Sequence, residues 1–132
     1  MEEVTILKTI NNVAASVSLR SDGIIKIEIK PNTNLKLADG QEMVKAFAEI
    51  GGGKKYPLLF IAGDFALANA EARYYASGKE ANQYTLASVF VVNNVAQKLM
   101  GNAYITFNKP ITPTKILTNE EEAVKWLKTF IS

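Results

Sequence analysis

Asp64, Arg73, Asn93 and Asn94 are the side chains of this sequence best suited to meeting another molecule. Their chemistry is hydrogen bonding and charge, not bond breaking. The chain contains no histidine and no cysteine. Imidazole general bases, Ser-His and Cys-His nucleophiles, zinc–thiolate sites and disulfides are therefore excluded. Carboxylates can hold a hard cation, but Asp39, Asp64 and the Glu120–Glu122 run lack the spacing of a calcium loop. No two acids are placed as a general acid and base, so an enzyme working with carboxylates and lysines alone ranks behind a binding function. The sequence names no catalytic residue, no metal ligand set and no cofactor.

What positions Asp64 is the apolar run Tyr56-Pro57-Leu58-Leu59-Phe60-Ile61-Ala62, bounded by a lysine pair and by Gly63-Asp64. Helical patterns flank it, so it reads as a buried strand at the centre of an α/β sheet. Ligands and partners meet such sheets beyond the carboxyl ends of central strands. The predicted binding rim is accordingly Asp64, Phe65, Asn69, Arg73, Asn93 and Asn94, with two helix N-termini directed at it. Such a rim suits an acidic partner side chain or a small anion. Bland readings stand beside each member: Asp64 as a turn residue, Arg73 in a surface ion pair with Asp64, and one asparagine as a helix cap.

A second candidate is apolar. Tyr74 and Tyr75 are adjacent, so a helix points only one of them at the core. Met100, Tyr104 and Phe107 share a helical face. Together these five outline a helix–sheet cavity for a lipid or other apolar small molecule, or a membrane-facing surface, with core packing as the plainer reading.

The remaining elements follow from periodicity. Residues 13–20 and 25–30 alternate as two strands of a hairpin around a two-residue Asp22-Gly23 turn, the second ended by Pro31. Val4–Leu7 reads equally as a further strand or as an arm packing elsewhere. A helix over 40–50 is expected, capped by Asp39 with Glu42 behind it and using Met43, Val44, Phe47 and Ile50 as its face. Gly51-Gly52-Gly53-Lys54-Lys55 resembles a phosphate cradle in composition, but it leaves a helix and enters a strand, the reverse of a P-loop. Further helices are expected over 69–81, from Asn94 (face Val95, Ala96, Leu99, Met100, Ala103 and Phe107), and from Thr118 with Glu121 as its capping box. Between them lie strands over 84–92 and, at an edge, 114–117. Trp126 is expected to pack the last helix onto the sheet.

The expected order is thus β-β-α-β-α-β-α-β-α, a mixed, mostly parallel sheet covered by helices. Residues 1–12 form the arm or extra strand and 13–132 one domain, without linker, repeat or low-complexity run. At 132 residues, with 48% hydrophobic content, the chain suits one domain that buries roughly two thirds of its unfolded surface. A net charge of +2 with interspersed signs argues against a nucleic-acid footprint. Glu2 and Glu3 stand where a leader would carry basic residues, and no apolar run approaches ~18 residues, so no transmembrane segment is expected and the cytoplasm is the expected compartment. Exposed edge strands, of the hairpin or of 114–117, point to a homodimer.

Four segments carry a resemblance: Ser21-Asp22-Gly23-Ile24-Ile25; Gly51 through Pro57; Tyr84-Thr85-Leu86-Ala87; and Pro113 through Leu117 followed by Glu120 through Leu127. With the element order, they make residues 13–131 resemble the STAS fold of bacterial anti-sigma-factor antagonists, and more closely their SpoIIAA-like relatives of uncharacterised role. The resemblance implies a non-enzymatic regulatory module acting through contacts with a protein partner. In the antagonists a serine at the start of the helix after the central strand is phosphorylated, and the added charge abolishes partner binding. The comparable positions here are Ala66, Leu67, Ala68, Asn69 and Ala70, none of which accepts a phosphoryl group. Ser77 and Thr85 lie too far along. The phosphorylation switch is therefore not expected.

Overall fold

A computed structural model of the chain describes residues 3–131. Met1, Ser132 and Glu2, the first of the acid pair noted above, lie outside the described residues.

Among the described residues, eight strands and four α-helices follow one another: β1 (Ile6–Asn11), β2 (Ala15–Arg20), β3 (Ile25–Ile29), β4 (Asn34–Leu35), α1 (Leu37–Gly51), β5 (Tyr56–Ala62), β6 (Leu67–Ala68), α2 (Ala70–Ser77), β7 (Thr85–Val91), α3 (Val95–Ala103), β8 (Thr114–Leu117) and α4 (Glu120–Leu127). Six strands form the main sheet in the order β1-β2-β3-β5-β7-β8, while β4 and β6 make a separate parallel pair. The first two pairings are antiparallel and the other three parallel. This is the mixed, mostly parallel sheet that the patterning predicts.

Each parallel step moves one place across the sheet in the same direction, and right-handed crossovers of that kind put their helices on one face. The core divides accordingly. Ile25, Ile27, Ile29 and Leu58 meet Met43, Val44, Phe47 and Ile50 of α1 on one side. Leu59, Ala87 and Val89 meet Ala123 and Leu127 of α4 on the other. Trp126 packs with that second cluster, its ring edge-on to Phe130 at 4.9 Å.

Several boundaries differ from expectation for local reasons. Of Val4–Leu7, Ile6 and Leu7 open a strand that runs to Asn11 and pairs with β2 of its own sheet. The hairpin is consequently not an edge; β1 and β8 are. Its turn spans Ser21-Asp22-Gly23, one residue more than predicted, with the Arg20 N–H donating to the Ile24 carbonyl at 2.9 Å and Gly23 at φ +86°. A third turn residue in the left-handed region is what such loops require.

The first helix begins before Asp39, at Leu37. Asp39 is not its cap but sits in the first turn and accepts the Lys36 N–H at 2.9 Å. The second helix stops at Ser77 and not at 81, because Gly78 follows and the Asn82 amide donates to the carbonyls of Ala76 (2.8 Å) and Gly78 (2.7 Å). Asn119, not Thr118, caps α4 by accepting the Glu122 N–H at 2.9 Å. The triple glycine ends α1, with Gly52 and Gly53 both at positive φ.

Candidate functional site

The loop leaving the central strand is fastened from three sides. Gly63 passes so close to β3 that an added Cβ would stand 2.6 Å from the Pro31 nitrogen. The Asn32 N–H donates to the Asp64 carbonyl at 2.7 Å. On the far side, the Asn93 amide donates to the Ala62 carbonyl (3.2 Å) and to the Asp64 carboxylate (3.1 Å). Asp64 and Asn93 are therefore brought together as the topology predicts, and Asn94 joins them by donating to the Asn93 side-chain oxygen at 3.2 Å.

Within this loop Phe65 takes φ +61° while its side chain is 73% exposed. A bulky residue in the left-handed region is strained, and here the strain puts an aromatic ring into solvent.

The two asparagines that open helices are caps. Asn69 accepts the Ala72 N–H and Asn94 the Gln97 N–H, each at 2.9 Å. Both helix ends at the rim are thus partly satisfied by their own side chains. Arg73 does not pair with Asp64. Its guanidinium donates to the Ala68 carbonyl, and it belongs to a second feature, described next. The six predicted rim residues therefore separate into Asp64 and Phe65 on the loop after β5, joined by Asn93 and Asn94 on the loop after β7, and Asn69 and Arg73 at the start of α2.

Gln97, which the sequence offers only as the capping partner of Asn94, is the residue that joins these parts. It is only 2% exposed. Its amide nitrogen donates to the carbonyls of Gly63 (2.9 Å) and Ala66 (3.0 Å), and its oxygen accepts the Asn93 N–H at 3.0 Å. A buried carboxamide needs such partners. The only sequence signal was its place three residues after the Asn94 cap.

Because Gln97 faces inward, α3 turns the rest of its surface round. Val95 and Leu99 are exposed, contrary to the predicted apolar face, and Met100, Gly101 and Tyr104 line the sheet side with Gln97. The helix then continues as a π-helical turn over Tyr104–Asn108. The wider winding carries Phe107 outward to 81% exposure. Phe107 is thus not a pocket residue. Neither is Tyr74, which points to solvent, whereas Tyr75 and Tyr104 face inward.

Tyr75, Met100 and Tyr104 do share a cavity, of about 160 Å³, between the sheet and α1, α2 and α3. Its cause is compositional. Six alanines (Ala62, Ala66, Ala68, Ala72, Ala76 and Ala81) stand on its walls together with Gly40 and Gly101, leaving space that larger side chains would fill. Phe60 and Phe90 stack at 4.4 Å between ring centroids to form the floor, and Phe47 and Tyr104 meet that pair edge-on. The lining runs from buried Leu58 to the more exposed Leu67, Arg73 and Tyr75.

Few polar groups reach this cavity. Burial, with Glu80 nearby, pushes the Tyr75 phenol up to about 12, and burial likewise raises Tyr104. Both stay neutral through the ordinary pH range. Thr85, 3% exposed, is on the lining, and its Oγ1 has no hydrogen-bond partner among the described residues. Ser77 is buried too, donating to the Tyr74 carbonyl at 2.8 Å. Neither hydroxyl is presented to a kinase.

A family model described as "Domain of unknown function (DUF7793)" matches residues 17–131. No curated protein matches the chain. Among solved structures, an uncharacterised protein of the DUF3478 family from Shewanella loihica PV-4, with a SpoIIAA-like fold, aligns over 94% of this chain and 93% of its own. The TM-score is 0.57 and the sequence identity 11%. At that identity the likeness is one of fold: the architecture described above is SpoIIAA-like. No helix among the described residues is long and apolar enough to cross a membrane.

Proposed function

The chain belongs to the DUF7793 family, and we propose that it is a non-catalytic binding module that takes an apolar small molecule between its sheet and its first three helices. The observation that carries this is the alanine-walled cavity of about 160 Å³ over the Phe60–Phe90 stack. Protein interiors are packed to near-crystalline density, and a void of this size is expensive. A cavity of about 150 Å³ with such walls suffices for benzene. The unpartnered Thr85 hydroxyl on the lining is a further cost that a ligand with one polar atom offsets.

The test is a thermal shift and NMR titration with toluene and indole. Saturable binding of either, lost in Ala76→Leu without loss of fold, supports the reading; wild-type protein that neither probe shifts sinks it. Leucine at position 76 should itself stabilise, by about 0.5–2 kcal/mol, as cavity-filling substitutions do.

A second reading, contact with a protein partner as in a STAS-like regulatory module, is favoured by Phe65. Strain held in place by surrounding bonds clusters at functional sites, and an exposed ring on a pinned loop suits an interface anchor. Retention of copurifying proteins by wild type but not by Phe65→Ser or Asp64→Ala would support it. Equal retention by all three counts against this surface.

A further inference from the structure

We infer that the cavity takes a small carboxylic acid, with its apolar body over the Phe60–Phe90 stack and its carboxylate on Arg73. The inference rests on reading the cavity as a ligand site and adds the class of ligand.

Three cationic side chains of the described residues are half-buried: Arg20, Lys26 and Arg73. Arg20 pairs with Asp22 at 2.7 Å and Lys26 with Glu120 at 3.2 Å. Arg73 has no carboxylate within 4 Å among the described residues, although it lines a partly exposed part of the cavity wall. A half-buried arginine that lacks a carboxylate partner and stands beside an apolar hollow favours an incoming anion. The Ala68 carbonyl takes one of its five N–H groups and fixes its orientation. The groups that remain can hold a carboxylate through two parallel bonds, the pairing for which guanidinium is shaped and ammonium is not.

The other walls restrict the rest of the molecule. No lysine and no second arginine line the cavity, and the nearest ionisable groups on the lining are the neutral phenols of Tyr75 and Tyr104. One charge is matched, and only one. The volume suits a body of about a single six-membered ring or a similarly short alkyl chain, well below the ~300–1,000 Å³ usual for larger ligands.

The experiment compares phenylacetate with its neutral isostere phenylacetamide, and hexanoate with hexanamide, by calorimetry at pH 7. Each is titrated into wild type, Arg73→Gln and Arg73→Lys. The acids should bind wild type at least tenfold more tightly than the amides. Arg73→Gln should remove that preference while leaving amide affinity unchanged, and Arg73→Lys should restore part of it. Amides that bind as well as acids in wild type, or acids that bind Arg73→Gln undiminished, overturn the assignment to carboxylates and leave the cavity reading intact. Failure of both acids and amides, with toluene and indole also inert, overturns both. The wild-type comparison decides between acid and amide even where a variant folds poorly.

Discussion

Gln97 donates from its amide nitrogen to the Gly63 carbonyl at 2.9 Å, tying the first turn of α3 to the loop that leaves the central strand. Gln97→Leu keeps most of the volume but leaves the Gly63 and Ala66 carbonyls and the Asn93 N–H without this partner. At about 1–3 kcal/mol for each buried group left unpaired, partly recovered by relaxation, the expected loss is about 3 kcal/mol in urea unfolding. Gln97→Glu should cost more, because a carboxylate would face two carbonyl oxygens with nothing to donate.

That residue also marks where the sequence was legible and where it was not. Alternation and the Asp22-Gly23 turn were enough to place β2 and β3, and the apolar run from Tyr56 to Ala62 was enough to place the central strand. Those elements are decided by short-range pattern. The inward face of α3 is decided by three backbone groups from elsewhere in the chain, so counting apolar residues chose Val95 and Leu99, the wrong side. Phe107 was misplaced by a π-helical turn that leaves no mark in a 3.6-residue period. The sequence leaves Arg73 open between an ion pair with Asp64 and anion binding, and only the course of the loop shows that Asn93 already occupies that carboxylate.

Phe65→Gly should stabilise the fold, by about 1 kcal/mol, in thermal unfolding. Glycine removes the penalty of a side chain at φ +61°, and the ring it deletes makes little buried contact. An unchanged or lowered midpoint would show that the ring packs in solution.

The two tight glycines should respond differently to alanine. At Gly63 the new Cβ would meet backbone, 2.6 Å from the Pro31 nitrogen and 2.8 Å from the Lys30 carbonyl carbon. Neither can retreat, so a loss of about 3 kcal/mol or failure to fold is expected. At Gly101 it would meet the β-branched Ile116 side chain, Cδ1 at 2.8 Å, Cγ1 at 3.0 Å and Cγ2 at 3.2 Å, which can shift more readily than backbone, and a smaller loss of about 1–2 kcal/mol is expected. Paired denaturant titrations of Gly63→Ala and Gly101→Ala check the order.

Asp22 gives the fold an acid limit. Burial raises its pKa, but the Arg20 hydrogen bond and charge, with Lys128 at 3.5 Å, outweigh burial and hold the carboxyl below its usual value. A folded value below the unfolded one means stability that is fully present above the unfolded value, about 3.9, and is lost as pH falls through the folded one. Asp22→Asn should therefore be less stable than wild type at pH 7, by about 2 kcal/mol. The gap should shrink below pH 4. A gap independent of pH would assign the effect to packing.

The bulge in β1 bears on how large an assembly this sheet can join. Ile6 pairs with Arg20 and Lys8 with Leu19, which leaves Leu7 as an extra residue and kinks the strand's outer border. Another chain laid along it would meet a broken row of hydrogen-bonding groups and a lysine, and at the opposite border β8 offers only four residues. Open-ended growth, strand upon strand, is thereby curtailed at both margins. The strongly apolar parallel centre is thus flanked by borders that do not offer a template for fibrils.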